Sequence, residues 1–467
     1  MWALALPEIL MDVSCSVCYK LSATDRGIAV ERELVMLNWK SGCAALIRRR
    51  SKSKCDLPLF EALEDRRFLS ATPQILLVHG MTAVDKPSTS ASLAGLRNGP
   101  THERKFARPA SKSASADVFS TVTGAKTPAN FFMIGVWSQP PSMMRHWKSF
   151  GVNTLVGYES QGGTISLNRW KRAAASNGFF TIRPPGTNPA QDNGDKKLLA
   201  WMLPDEPDYR GTDPPILASL YANLKSVNPR LPIFVNYAGG KVIGWLGPVS
   251  QADYNDYLAA TDWVGNDIYP VTGWNQPQSL DASAQVVTRL SAWSGGKPQI
   301  AVIETSNQLL PYVPAGTPGV TAGQFRAEVW ATINHGATGI VYFPQQIGNG
   351  FHYDATPPSV SKQMKLENAR LQSLGAVLQS TFNPDGFGLN LDPSLQGSWR
   401  SYGGKNYFIV SNATGSTIAS AGIGLNGVTS GPVSASVAGE NRSVPLQNGT
   451  LTDSFTAYET HVYVVNS

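Results

Sequence analysis

With 467 residues, 42% of them hydrophobic and 15% charged, the chain is too apolar to be mainly disordered and long enough for one large domain with smaller parts. Its formal charge of +6 sits at the start: residues 1–130 hold 18 Lys and Arg against 12 Asp and Glu, and the remainder holds 21 of each. A balanced main body excludes nucleic-acid binding as the reading of that charge, because such binding needs a basic face on the folded domain itself.

Residues 1–13, MWALALPEILMDV, lack a basic leading region, contain Pro7 and Glu8, and are too short to span a bilayer. No transmembrane helix is expected. All four cysteines, Cys15, Cys18, Cys43 and Cys55, fall in the first 55 residues. Cys15 and Cys18 form a CxxC, but a zinc or redox site would need Cys43 and Cys55 to complete it, and their spacing is irregular. No strand or helix period frames the motif, so the four are read as unpaired thiols in a segment absent from the mature protein.

Residues 48–54, RRRSKSK, precede residues 57–71, LPLFEALEDRRFLSA. With Phe60, Glu61, Leu63, Glu64, Arg66, Leu69, Ser70 and Ala71 in place, and Phe68 where leucine is usual, this stretch resembles the FExLExRxLLSA-type N-terminal segment of many exported or surface proteins of Planctomycetes. The resemblance covers about fifteen residues by direct count of the motif. It implies export to the extracellular space or cell surface, with Met36 as an alternative initiator. An amphipathic surface helix is the competing reading of its periodicity. Residues 1–83 are accordingly read as the export region. Residues 84–129, rich in Ser, Ala, Thr, Lys and Pro, are read as a flexible linker.

From Asn130 strand-like apolar runs alternate with helix-length segments. The runs are residues 131–137, 154–158, 179–183, 199–203, 233–237, 263–269, 300–304 and 339–343. Helices are expected over residues 142–150, 167–177, 215–227, 251–259, 283–293, 322–335 and 361–379, with a short helical turn around Lys196 between the third and fourth runs. Eight strand–helix repeats predict an α/β fold, a (β/α)8 TIM barrel over residues 130–380, since parallel strands need crossover helices and eight of them close. An open doubly wound sheet would ask for a glycine-rich phosphate turn after the first strand, where this chain has Trp137, Ser138, Gln139, Pro140 and Pro141. Residues 381–467 hold only short alternating segments between Gly, Asn and Ser turns, and read as a small C-terminal all-β sandwich domain.

Barrel chemistry projects from the C-terminal strand ends. Those ends carry Trp137, Tyr158 with Glu159, Arg183, Asp205 with Glu206, Asn236 with Tyr237, Asp267 with Tyr269, Glu304, and Phe343 with Gln345. Trp274 follows the sixth. Aromatic faces stack on pyranose rings, while carboxylates and amides bond hydroxyl groups, so a carbohydrate partner is expected. A phosphate site would want Lys, Arg or Gly-rich turns. His146, His335 and His352 share no metal-ligand spacing, so no metal or other cofactor is expected.

Glycosidic hydrolysis needs one carboxyl group protonated and another ionised. Glu206, in LAWMLPDEPD, and Glu304, in PQIAVIET, suit that division. Here the barrel resembles the clan-A glycoside hydrolases, which place an acid/base Glu after strand four, often within Asn-Glu-Pro, and a nucleophile Glu after strand seven. The resemblance implies Glu206 as acid/base, Glu304 as nucleophile, and a retaining reaction with the carboxyls about 5 to 5.5 Å apart. Asp205 departs from the pattern, where Asn is usual. An adjacent Asp–Glu pair also resembles N-acetylhexosaminidases that use the substrate's acetamido oxygen as nucleophile, with Asp205 orienting it and Glu206 protonating the leaving group. Tyr269 is expected to bond the nucleophile, Asp267 has no assigned catalytic role, and many clan-A relatives have His-x-Tyr there. Trp137, Tyr158, Asn236, Tyr237, Asp267, Tyr269, Trp274 and Phe343 are candidate sugar contacts, with packing at the barrel rim as the alternative for Trp137, Tyr158, Tyr237, Trp274 and Phe343. Arg183 is expected to contact substrate or hold a carboxylate ionised. Glu159 competes for a catalytic role, and Asp354 reads as a solvated loop residue. A non-catalytic carbohydrate-binding surface protein is the reading from another class. Oligomeric state is not legible.

Overall fold

The computed structural model describes the backbone of residues 17–24 and 27–34, then residues 125, 127–307, 318–347, 350–384, 389–425 and 434–466. The FEALEDRRFLSA segment and nearly all of the expected linker lie outside the described residues. Val17–Thr24 pairs antiparallel with Gly27–Leu34, so a strand does contain Cys18, which the sequence reading left unframed.

Eight strands close into a parallel barrel: β1 (Met133–Trp137), β2 (Thr154–Val156), β3 (Phe180–Arg183), β4 (Leu198–Met202), β5 (Ile233–Ala238), β6 (Trp263–Asp267), β7 (Gln299–Glu304) and β8 (Ala337–Phe343). Each pairs with the next, and β8 returns to β1 with Gly339 opposite Met133. The expected (β/α)8 barrel is therefore the observed one. Alternation sorts the side chains into two layers. Phe180, Ile182, Ala200, Met202, Ile300, Val302 and Val341 pack inside, while Ile134, Leu155, Ala301, Ile303 and Tyr342 pack outward against the helices. The seam needs glycine: a Cβ on Gly135 would lie 2.9 Å from Val341 Cγ2, and one on Gly339 the same distance from Met133 Cβ.

The crossover helices are α1 (Met144–Ser149), α2 (Leu167–Ser176), α3 (Pro214–Val227), α4 (Asn255–Ala259), α5 (Ala282–Trp293), α6 (Ala322–Asn334) and α7 (Pro358–Ser373). Between β3 and β4 the chain forms only a 3-10 turn, Pro189–Asp192, upstream of the expected position at Lys196. Helix α6 starts in a capping box in which Thr321 and Gln324 satisfy each other's backbone N–H groups. From Ala327 on every residue of α6 is buried, because the helix packs on the barrel and on the C-terminal domain at once.

The C-terminal domain is a nine-stranded antiparallel sheet running from Phe382–Pro384 at one edge to Leu389–Leu391 at the other. Residues from both halves, among them Leu395, Phe408, Ile423, Leu451 and Tyr463, share one core, so the sheet folds over on itself. Asn334 of α6 joins it to the barrel, accepting from Ser398 Oγ at 3.0 Å and donating to Ser411 Oγ at 3.1 Å. Among the described residues no helix is long and apolar enough to cross a membrane.

Candidate active site at the barrel mouth

β4 is apolar throughout, LLAWM, and the chain leaves it in a tight turn through Pro204, Asp205, Glu206 and Pro207. Glu206 takes a left-handed backbone, φ 46°, a conformation that costs a non-glycine residue about 1 kcal/mol or more and collects at functional sites. The turn is held from both sides: Glu206 N donates to Asn236 O at 2.9 Å, and Glu206 O accepts from Arg210 N at 2.9 Å. Behind it Asp208 is buried, accepting from Ala238 N at 3.2 Å and from Tyr254 OH at 2.5 Å. Burial raises the Asp208 carboxyl, partly offset by the Tyr254 bond.

Three carboxyl groups meet on this frame. Asp205 accepts from Asn236 Nδ2 at 3.0 Å and lies 3.6 Å from Arg210 Nη2, which also donates to Glu206 Oε2 at 3.2 Å. Asp267, the last residue of β6, is in hydrogen-bond contact with Glu206 and accepts from Tyr269 OH at 3.0 Å. Burial, then the charge of Asp205, pushes Glu206 up to about 7. Burial, then Glu206 and Asp205, pushes Asp267 well above the carboxylate range. Two neighbouring carboxyls, one of them buried, resist ionising together, so the pair shares a proton toward neutral pH. Such a group can donate a proton where an ordinary carboxylate is already spent.

No family model matches the chain, and no curated protein matches it. Among solved structures it is similar to an α-amylase of Anoxybacillus, with 10% identity, a TM-score of 0.49, and coverage of 73% of this chain and 99% of the other. It is also similar to an α-amylase of Geobacillus thermoleovorans, with 12% identity, a TM-score of 0.48 and coverage of 73% and 100%. A third is a GH30 endoxylanase of Clostridium papyrosolvens, with 15% identity, a TM-score of 0.39 and coverage of 72% and 97%. Likeness at that level says nothing of what the site does.

The second predicted carboxylate ends β7. Glu304 has no solvent exposure; its Oε1 accepts from Val271 N at 2.7 Å, and its Oε2 accepts from Thr272 N at 2.7 Å and from the Thr272 hydroxyl. It also contacts Glu328 of α6, a second fully buried carboxyl. Burial raises both groups. Tyr269 bonds Asp267 rather than Glu304, so the expected tyrosine–nucleophile contact is replaced by a tyrosine–Asp267 contact.

Other strand-end candidates divide by parity. Asn236 faces inward and orients Asp205. Tyr237, one residue on, faces outward, is fully buried, and donates to Tyr257 O at 2.9 Å, away from any substrate. Arg183 alternates with the inward Ile182 in the same way: it is fully buried and paired through both terminal nitrogens with Asp192, at 2.7 and 3.0 Å, and with Asp195. The cation beside Glu206 is Arg210 instead. Tyr158 packs with the outer core, its ring 6.0 Å from Trp170. Trp137, Tyr269 and Phe343 belong to the inner cluster with Met202, Tyr269 and Phe343 lying 5.2 Å apart, and these line the mouth. Gln345 is buried there and donates to Trp137 O at 2.8 Å. Trp274 is half-buried against Trp245, at 5.2 Å, and rests on Gly240, where a Cβ would come within 2.6 Å of it. Glu159 accepts from Gln161 N at 2.6 Å in its own loop. Asp354, expected to be solvated, pairs with His146 at 2.8 Å.

Sequence reading missed Arg210, Asp208 and Glu328. Arg210 stands four residues after Glu206, the spacing at which a helical turn brings Arg and Glu together. Glu328 is the one carboxyl in a mostly apolar helical stretch, FRAEVWATI, which is a readable anomaly.

Proposed function

We propose that this protein is a glycoside hydrolase, cleaving O-glycosidic bonds of a poly- or oligosaccharide with Glu206 as general acid. The observation that supports it most is the Glu206–Asp267 pair: a partly exposed carboxyl pushed up to about 7 beside a second, buried one, at the aromatic mouth of a (β/α)8 barrel. Glu206 gives its proton to the leaving oxygen, Asp267 shares the proton load, Tyr269 and Asn236 hold Asp267 and Asp205, and Trp137 and Phe343 offer faces to a sugar ring. The reading needs no cofactor. Export rests on the N-terminal resemblance alone and forms part of the same proposal.

The second step has two forms. A nucleophilic Glu304 gives retention through a glycosyl-enzyme. Participation by a substrate acetamido group needs only Asp205 and Glu206. The side chains of Asp205 and Glu206 are 33% and 20% exposed and adjacent, whereas Glu304 is closed to solvent, and this favours the acetamido form. The test is comparison of Asp205→Ala and Glu304→Ala on N-acetylated and unacetylated glycans. Loss at Asp205→Ala confined to acetamido sugars supports that form, and equal loss on both classes counts against it. A purely sugar-binding protein would bind glycan and cleave none.

A further inference from the structure

Glu304 is the residue a hydrolase reading most readily makes a nucleophile, and its surroundings argue for different work. We infer that Glu304 is a positioning residue, clamped with Glu328 on the turn after β6 and fixing Tyr269 against Asp267 through that turn. The inference rests on the proposed role of Glu206 and Asp267.

The carboxylate of Glu304 has about four lone-pair sites. Three are taken by Val271 N, Thr272 N and the Thr272 hydroxyl. Glu328 accounts for the fourth. Both of its oxygens are buried and accept no hydrogen bond, and among the described residues neither glutamate has a cationic partner. An ionised Glu328 would be an uncompensated buried charge beside a second one, so it holds a proton and donates it to Glu304. Glu304 then has no lone pair open to a sugar carbon.

What it holds is equally specific. The segment from Tyr269 to Trp274 is a tight turn in which Gly273 N and Trp274 N both donate to Tyr269 O at 2.9 Å. Glu304 grips the turn at its middle, Val271 and Thr272. The turn's first residue is Tyr269, whose hydroxyl meets Asp267. Movement of the turn would therefore reach the Asp267–Glu206 pair through the Tyr269 hydroxyl.

The experiment uses the full chain. If Glu304 works through Tyr269, Glu304→Gln and Tyr269→Phe should each lower kcat by roughly 10- to 100-fold and move the upper limb of the pH profile the same way. The double variant should be no more than about threefold worse than the poorer single, because residues acting as one unit are not additive. Azide should not restore Glu304→Ala. Losses that multiply in the double variant, or azide rescue of Glu304→Ala with a glycosyl azide formed, would overturn the inference while leaving the hydrolase reading intact; wild-type activity in Glu206→Gln would instead remove the acid role of Glu206 on which the inference rests. Melting reads the clamp without activity. Glu328 has a raised pKa in the fold, so its contribution is complete at low pH and lost as pH rises through the folded value. Wild type should lose melting temperature as pH rises above the ordinary carboxylate range, and Glu328→Gln, whose amide donates at every pH, should lose clearly less. An unchanged pH dependence in Glu328→Gln would refute the shared proton.

Discussion

Replacing Asp205 with asparagine should move the pH profile of the proposed activity in a calculable direction. Arg210 Nη2 lies 3.6 Å from Asp205 and 3.2 Å from Glu206, so the two carboxylates are at most about 7 Å apart. At an effective dielectric of about 20, two unit charges that far apart repel by roughly 2.4 kcal/mol. Both side chains are partly exposed, 33% and 20%, and screening reduces this to about 1.4 kcal/mol, or about one pH unit. The amide of Asp205→Asn would keep an oxygen for Asn236 Nδ2, so the turn stays in place while the charge goes. Glu206, now pushed up to about 7, should fall by about one unit, carrying the upper limb of kcat/KM with it. The assay is initial rate against pH on whichever glycan the wild type cleaves. An upper limb that stays put or moves to higher pH would refute the electrostatic account of Glu206.

Tyr269→Phe should do the opposite: the tyrosine hydroxyl lowers the Asp267 carboxyl in the native site, so its removal lets the pair hold its proton to higher pH, read as an upper limb moved in that direction. Arg183→Met should cost about 1.5–3 kcal/mol in urea unfolding, because it removes the charged hydrogen bonds of Arg183 from Asp192 and leaves it only Lys171 and Trp201. Burial alone would raise Asp192, but Arg183, Lys171 and Trp201 outweigh it and hold it at about 2. Its stabilisation is therefore present above the unfolded carboxylate value and lost as pH falls toward 2, and acid unfolding of Arg183→Met should begin at higher pH than in wild type.

Much of the barrel was legible because each strand is a buried apolar run and most connections carry a longer helical segment; all eight runs are strands. Strand four ends where LAWM meets carboxylates, which put Asp205 and Glu206 at the mouth from residue order alone. Side-chain direction was less legible. Reading every strand end as mouth-facing ignored alternation, and so Arg183 and Tyr237, outward neighbours of Ile182 and Asn236, were misplaced as substrate contacts. Glu304 shows the limit of alternation itself: it shares parity with the inward Ile300 and Val302, yet at the last strand residue its carboxyl is claimed by Val271, Thr272 and Glu328. Contacts between residues far apart in sequence, such as Glu206 with Asp267, have no local signature. The nine-stranded order of the C-terminal sheet was likewise beyond a one-dimensional reading, since short strands pair by register rather than by composition.

The central claim is that Glu206 delivers the proton that breaks a glycosidic bond. Release of reducing ends from a panel of polysaccharides by the full-length protein, beside its Glu206→Gln variant, tests it directly. The expected result is cleavage of at least one glycan by the wild type and a loss of about 10²- to 10⁴-fold in Glu206→Gln, with glycan binding retained. Equal turnover by the two proteins, or binding without cleavage by either across the panel, would contradict it.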